Sequence, residues 1–598
     1  MSGKSKKKQA TSVRDKGGRI ITDPHNQKDR WKEHFTELLN PPLSSVNLAD
    51  LDGVPSQPSF DYLSCSDGPP TRDEISYSLK KLKNHKNPGF DGITNQYGES
   101  ALIGQLERLF KKVWEEEEIP EDWLKGVIIV IGKKGDTSYC GNNRGITLRA
   151  TASKLLQMIL LKRLDVGMEC LLRENQCGFR RNRSCIDQIY SLRTIIHNCI
   201  EFNIPLCVNF VDFKAAFDSI RRDFIWTSMR HYGLPEKYVR IFQAFFNGTV
   251  SAVRVNGELT DWFSVNSGTG QGDIQGPPVF NFCLNFAAFI AEANKTISHG
   301  AVLQEKSKKV EEKVVMDTDY ADDMAILDNS RDGLQESTDL LAHFSSYAGL
   351  KINAKKTQCM AVSRCASQRP FNKSDSIELE VEGEPIEQVS NFVYLGATIS
   401  GDGTIDRDLD VRIQKANGAF HQLWKIWNSR TIKTPTKIRI YKAAVITILL
   451  YGAEVWNTTK KQIQRFVFQV FHQTSLRRIL KIKWFFHVSN EEVLKRAGIT
   501  SIETYISAAR LRWYGHVVRM PDSRLPKFLL DWKPNYGKRS RGRPRKNWKA
   551  CVLEDAANFT GVNNIDNDTV QALADNRVQW RCMIRRQRDV CDAGHSND

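Results

Sequence analysis

At 598 residues the chain is too long for one ordinary core, and its length predicts about three or four domains. A net charge of +17 and a pI of about 9.2 favour polyanionic partners. Thirteen cysteines show neither a CxxC pair nor a Cys/His zinc spacing, no apolar run nears the ~18 residues of a membrane span, and no secretory leader is present. Composition thus excludes a zinc module, a secreted disulfide scaffold and a membrane partner, and predicts an intracellular protein of nucleus or cytoplasm.

In chain order, residues 1–20 form a lysine-rich tail (Lys4, Lys6, Lys7, Lys8), read either as solvated or as a weak nuclear-import or RNA-contacting arm. Trp31, Phe35, Leu38 and Leu39 recur at helical spacing and predict an amphipathic helix over 28–40, followed by a Pro- and Ser-rich loop from Pro41 to Pro70. Thr71 and Glu74 are spaced as a capping box, with Ile75, Leu79 and Leu82 on one helix face. Lys80, Lys81, Lys83 and Lys86 sit on or beyond that helix, facing nucleic-acid phosphates or simply water.

Leu206-Cys207-Val208-Asn209-Phe210-Val211 reads as a buried strand that ends at Asp212. Downstream, Val314-Val315-Met316 and Met324-Ala325-Ile326-Leu327 flank Tyr320-Ala321-Asp322-Asp323, which predicts a tight hairpin with both acids at its tip. A lone Asp-Asp pair is ordinarily a solvated turn. Asp212 at the end of a second apolar strand, 110 residues before Asp322, makes a shared metal site the better reading. One or two Mg²⁺ (or Mn²⁺) ions held there, roughly 3.5–4 Å apart if paired, would clamp the attacking and leaving oxygens of a phosphoryl transfer. Beyond residue 400 the chain turns helical: Ile413, Ala416, Phe420, Leu423, Trp424 and Trp427 mark one packed helix face, and Ile440, Ala444, Ile448 and Tyr451 mark a second helix. Trp456 and Trp484 are read as core rather than base-stacking residues.

Asp212 with Phe217-Asp218, and Tyr320-Ala321-Asp322-Asp323, resemble the first and third palm motifs of reverse transcriptases. Asn87-Pro88-Gly89-Phe90-Asp91-Gly92-Ile93 resembles the fingers element of the non-LTR retrotransposon enzymes. Lys133-Lys134-Gly135-Asp136 and Asn143-Arg144-Gly145-Ile146-Thr147-Leu148 resemble the strands that grip the triphosphate. Asn175 to Arg180 with Arg183-Ser184 resembles the segment before the first palm strand, and Gln271-Gly272 with Pro277-Pro278 the second palm motif. Leu350 to Asn353 with Lys356-Thr357 resembles the fourth, and Phe392 with Tyr394-Leu395-Gly396 the primer grip. Gly270, Asp273 and Gly276 depart from residues common in relatives, but none of these changes touches the three acids.

The resemblance implies that Asp212, Asp322 and Asp323 hold metal, with the Val211 carbonyl a further ligand. Lys133 or Lys134 and Arg144 would neutralise the triphosphate, and Ala215 and Ala216 would offer it backbone N–H groups. Phe217 would lie under the incoming sugar and reject a 2′-hydroxyl. Gln271 would contact the nucleotide near the template, and Lys356 would donate a proton to the leaving pyrophosphate.

Leu511-Arg512-Trp513-Tyr514-Gly515-His516, then Gly537 to Lys546, resemble the tail of RTE-type elements. Arg539, Arg541, Arg543, Arg545 and Lys546 read as a phosphate-binding strip, or, through Arg541-Gly542-Arg543-Pro544, as an AT-hook-like arm for the minor groove. The stretch before the fingers is too short for the endonuclease domain that such elements carry upstream, so the chain reads as the polymerase-and-tail part of such a protein, a truncated copy or one served by an endonuclease in trans. No zinc knuckle or ribonuclease H set is found.

The expected fold is α+β, a right-hand polymerase with an antiparallel palm sheet, a helical thumb and a basic C-terminal domain. Its expected boundaries are 1–69 for the tail and short helix, 70–400 for fingers and palm, 401–500 for the thumb and 501–598 for a basic nucleic-acid-binding region. The expected function is RNA-directed DNA synthesis from a DNA primer or target on an RNA template, with dNTPs. The alternative is a retrotransposon-derived nucleic-acid-binding protein whose polymerase activity is lost or unused. An RNA-copying RNA polymerase is disfavoured by Phe217, and a group II intron protein by the Gly-Arg-Pro tail.

Overall fold

The computed structural model describes residues 12–42, 46–51, 66–82, 89–93, 99–133, 135–296, 300–306, 311–363, 376–459, 462, 468–539, 541–563 and 565–592. Lysines 4, 6, 7, 8, 83, 86 and 134, with Asn87 and Pro88, lie outside the described residues. The elements used below begin with helices α1 (Pro24–Leu39) and α2 (Arg72–Lys81), strands β1 (Lys125–Gly132) and β2 (Asn143–Leu148), helix α3 (Cys185–Phe202), strand β3 (Cys207–Val211) and strand β4 (Val250–Val255). They continue with α4 (Gly276–Ala293), β5 (Asp317–Tyr320), β6 (Asp323–Asp328), β7 (Gln358–Ala361) and β8 (Glu387–Gln388). Helices α5 (Asp406–Gln422), α6 (Phe468–Leu480), α7 (Asn490–Ala497), α8 (Ile502–Val518), α9 (Leu525–Asp531) and α10 (Trp548–Thr560) complete the set.

The chain divides into two compact units. The first comprises residues 1–181, 212–295 and 337–353. In it β1 pairs antiparallel with β2 and parallel with β4. Helix α1 starts where Asp23 accepts from the Asn26 N–H and Pro24 occupies the first turn, a position that needs no donor. Its Trp31, Phe35 and Leu39 are buried with Ile128, Val253 and Phe263, as their spacing predicted. The Thr71–Glu74 capping box forms in both directions, and Arg163 holds Glu74 at 2.6 Å.

The second unit comprises residues 182–211, 296–336 and 354–598. Its main sheet has the order β5-β6-β3-β7-β8, with β3 in the middle and antiparallel to both neighbours. Val208, Phe210 and Val211 are buried, as a central apolar strand requires. One side packs on α3, and one hydrophobic cluster joins that helix and β3 to α8, α9 and α10. Tyr190 of α3 lies 4.4 Å from Trp513 and 5.1 Å from Trp548, ring centre to ring centre. A buried ion pair, Arg524 to Asp187 at 2.9 Å, joins the same elements.

Three sequence expectations are corrected. The upstream arm of the acidic hairpin is not Val314-Val315-Met316 but Asp317–Tyr320, polar yet buried, while Lys313–Val315 pairs with Ala301–Gln304. The expected second helix forms, but its fully buried line is Tyr441, Val445 and Leu449, with Ile440 and Ile448 only partly buried against the same core. A π-turn over Lys442–Ile446 lies within this stretch and shifts its register relative to a regular α-helix. Trp456 is fully buried, but Trp484 is not a core residue: it is 84% exposed, in a short 3₁₀ turn.

Candidate active site

In the second unit, β5 and β6 form a hairpin closed by the pair Tyr320↔Asp323, leaving Ala321 and Asp322 as its two-residue turn. Ala321 has φ +59°, the left-handed conformation that tight hairpin turns demand, and its side chain is buried. The turn thus presents Asp322, half-buried, and Asp323, exposed, at the tip. The hairpin is anchored from behind. Gln188 donates to the Asp319 carbonyl at 2.8 Å, and the Tyr394 hydroxyl to the Thr318 carbonyl at 2.6 Å.

Register brings the other acid's strand alongside. Val211, the last residue of β3, is paired with Met324, the second residue of β6. Asp212 follows the one along the chain and Asp323 precedes the other. Lys356 is exposed in the turn two residues before β7, the other neighbour of β3.

In the first unit, Asp212 opens a segment held by 351–353. The Asn353 N–H donates to the Asp212 carbonyl at 2.7 Å, Phe213 bridges Ile352, and the Lys214 N–H donates to the Lys351 carbonyl at 2.9 Å. The Asn353 side-chain amide also donates to Asp212 Oδ2 at 3.2 Å, which aims the carboxylate. Sequence reading placed Asn353 in a motif but missed this role.

The chain then turns sharply. Ala215, exposed, has φ +48°, a strain of about 1–3 kcal/mol for a residue with a Cβ, and caps a one-turn helix that contains buried Ala216. Phe217 stacks on Phe280 at 4.3 Å and meets Phe179 edge-on at 6.2 Å. Its carbonyl accepts from the Thr269 N–H at 2.9 Å. Burial pushes the Asp218 carboxyl up to about 6, against the opposing pull of Lys133 and Arg144. Those two cations and Asp218 therefore share one electrostatic neighbourhood. Lys133 and Arg144 are exposed at the ends of β1 and β2.

Gln271 and Gly272 lie directly against β2, where the Thr147 N–H donates to the Gln271 carbonyl at 2.8 Å. Gly272 has φ +108°, and a Cβ there would sit 2.9 Å from the Thr147 carbonyl oxygen, so only glycine fits. Next to it, Asp273 is fully buried against Arg149, Nε to Oδ2 2.7 Å. This pair pins the turn, and the sequence reading did not anticipate its Arg149 half.

Residues 131–399 match the family described as reverse transcriptase (RNA-dependent DNA polymerase), and residues 419–451 match a domain of unknown function. The probable RNA-directed DNA polymerase from transposon BS of Drosophila melanogaster is 24% identical, over 77% of this chain and 50% of that protein. The RNA-directed DNA polymerase from mobile element jockey of the same fly is 24% identical, over 71% and 45%. The Pol polyprotein from type-1 retrotransposable element R2 of Popillia japonica is 25% identical, over 66% and 53%. Residues 131–399 thus carry a reverse transcriptase domain, and the relatives it resembles are polymerases of non-LTR retrotransposons. The chain spans about half the length of these curated relatives. A solved apo telomerase from Candida Tropicalis, truncated from its C-terminal domain, is similar over 53% of this chain and 62% of that one, at 11% identity and a TM-score of 0.33, a score too low to carry weight. The α+β right-hand polymerase class expected from the sequence holds for the reverse transcriptase domain of this chain.

Its five basic tail residues prove unequal. Arg539 pairs with Glu201 at 2.8 Å, the Arg545 guanidinium donates to the Asp402 carbonyl at 2.8 Å, and Lys546 pairs with Glu554 at 2.6 Å. Arg541 and Arg543 are exposed. Among the described residues no helix is long and apolar enough to cross a membrane, and ten of the cysteines are free thiols.

Proposed function

We propose that this reverse transcriptase extends a DNA primer or nicked DNA target on an RNA template, using dNTPs. The observation that carries the reading is the register Val211↔Met324, which aligns the strand leading into Asp212 with the strand that begins at Asp323. The donor set of Asp212, Asp322, Asp323 and the Val211 carbonyl is all hard oxygen and suits Mg²⁺ or Mn²⁺. Among the described residues no three His, Cys, Asp or Glu side chains are gathered closely enough to hold an ion by themselves. Mg²⁺ is commonly held by one or two carboxylates together with substrate phosphates and water. When bound, the metal would acidify the primer hydroxyl and neutralise phosphate charge.

The remaining work falls to the chain's own groups. Asn353 holds the Asp212 carboxylate in one orientation. Arg144 and Lys133 receive the triphosphate, the arginine through its planar fork, and Lys134 is a further candidate outside the described residues. The left-handed turn at Ala215 directs the backbone of Ala215 and Ala216 toward the phosphates. Phe217, fixed between Phe280 and Phe179, blocks a ribose 2′-hydroxyl. Gln271 borders the nucleotide from the glycine turn, and Lys356 supplies the proton to pyrophosphate. Fingers and palm fall within 70–400 and the thumb within 401–500.

The test is primer extension on an RNA template with Mg²⁺. Incorporation of dNTPs that Asp322→Ala/Asp323→Ala abolishes, with template binding retained, is expected. Binding of primer and template without extension in any divalent metal would refute the reading and leave a binding protein.

A further inference from the structure

Between α6 and α7 the chain makes a single 3₁₀ turn, Trp484-Phe485-Phe486, with side chains 84%, 48% and 58% exposed. Soluble surfaces rarely leave three contiguous large aromatics in water unless something covers them. The turn is nonetheless rigidly built. Lys481 and His487 flank it in the left-handed conformation, at φ +59° and +47°. The Phe486 N–H donates to the Lys483 carbonyl at 3.1 Å. At its base Arg477 donates to the Val488 carbonyl at 2.7 Å and to the Asn490 side chain at 3.0 Å. The rings do not collapse into a stack: Trp484 and Phe485 meet edge-on at 79°, and Phe485 and Phe486 are tilted by 53°.

Charge selects the occupant. From residue 411 to 490 the sequence carries fifteen Lys and Arg against one acid, Glu454. Arg478, Lys481, Lys483 and His487 beside the turn are all exposed, and the Lys483 ammonium stands 5.5 Å from the Phe485 ring centre. A second copy of a chain with net charge +17 would be repelled from such a face. A polyanion with flat apolar surfaces fits it: an unpaired nucleic-acid strand, whose bases stack on aromatics while its phosphates meet lysines. A duplex hides those base faces.

We propose that Trp484, Phe485 and Phe486 form a stacking platform for an unpaired stretch of RNA. The choice of RNA over DNA rests on the reading that the template is RNA; the platform itself does not. The test is anisotropy on the full chain, without dNTPs, using a labelled oligouridylate of about 16 nucleotides and an RNA hairpin of equal charge. Trp484→Ala/Phe485→Ala/Phe486→Ala should raise Kd for the single strand by about tenfold or more. It should leave the hairpin Kd and the slope of log Kd against log salt unchanged. Trp484→Tyr, which keeps a ring, should retain most of the affinity.

Unchanged single-strand affinity, or an equal loss on the hairpin, would overturn the proposal. So would a loss confined to an oligodeoxythymidylate, or self-association of the parent protein that the triple variant abolishes. Because catalysis is not read, these failures leave the polymerase reading standing, and failed extension with intact binding leaves the platform standing.

Discussion

Removing the cation from the Arg149–Asp273 pair is a direct test of how the glycine turn is held. Both side chains are buried, 6% and 0% exposed, with Nε to Oδ2 at 2.7 Å. Arg149→Met leaves a carboxylate in the interior, with the Ile274 N–H donating to its other oxygen at 3.0 Å. Breaking a buried pair this way costs about 3–5 kcal/mol. Burial already holds the Asp273 carboxyl above the usual carboxylate range, with Arg149 the main opposing influence. Loss of the arginine therefore raises it further. The folded state then keeps a proton that the unfolded state releases, so stability falls as pH rises from about 4 toward the folded pKa. The deficit should be largest at pH 8 and shrink toward pH 5, by up to ~1.4 kcal/mol per pH unit. Arg149→Met/Asp273→Leu, which buries no charge, should recover most of the loss. Urea unfolding midpoints at the two pH values measure this. A pH-independent deficit, or a double variant as unstable as the single one, would refute the reasoning.

Phe217→Ala should relax discrimination against ribonucleotides by roughly ten- to two-hundredfold, read as the ratio of kcat/KM for dNTP and rNTP; an unchanged ratio removes its gating role. Asp218, pushed up to about 6, is ionised above that pH and then opposes a triphosphate beside Lys133 and Arg144. KM for dNTP should therefore fall as pH drops through 6, and Asp218→Asn should flatten that step. Arg541→Ala/Arg543→Ala should weaken DNA binding and shrink its salt slope by about 2, without moving Tm. Arg545→Ala, whose guanidinium is bonded to the Asp402 carbonyl, should cost about 1 kcal/mol of stability, measured by thermal melts.

What the sequence made legible were features with local grammar. The strand before Asp212 is short and apolar, the Thr71–Glu74 box is a spacing rule, and two acids after Tyr320-Ala321 signal a hairpin tip. Illegible were features decided by distant partners. Asp317 to Tyr320 is polar, so nothing local marks it as a buried strand; its neighbours Gln188 and Tyr394 do. Arg149 and Asp273 stand far apart in the chain, so the buried pair has no sequence signature. Trp484 looked like core because tryptophan usually is, and only its 3₁₀ setting turns it outward. Trp513 and Gly515 read as tail residues. Gly515 is instead required because a Cβ there would strike the Trp580 indole at 2.4 Å.

The cluster that joins β3 and α3 to α8, α9 and α10, and reaches Trp580 and Ile584, has a consequence for biosynthesis. Strand β3 leaves the ribosome more than three hundred residues before the last side chains that cover its helix. Until those arrive, the nascent sheet shows an uncovered apolar flank, the kind of surface chaperones bind. Maturation of the acidic hairpin's scaffold is thus tied to the synthesis of residues 508–584, and a chain cut short before them keeps that flank uncovered.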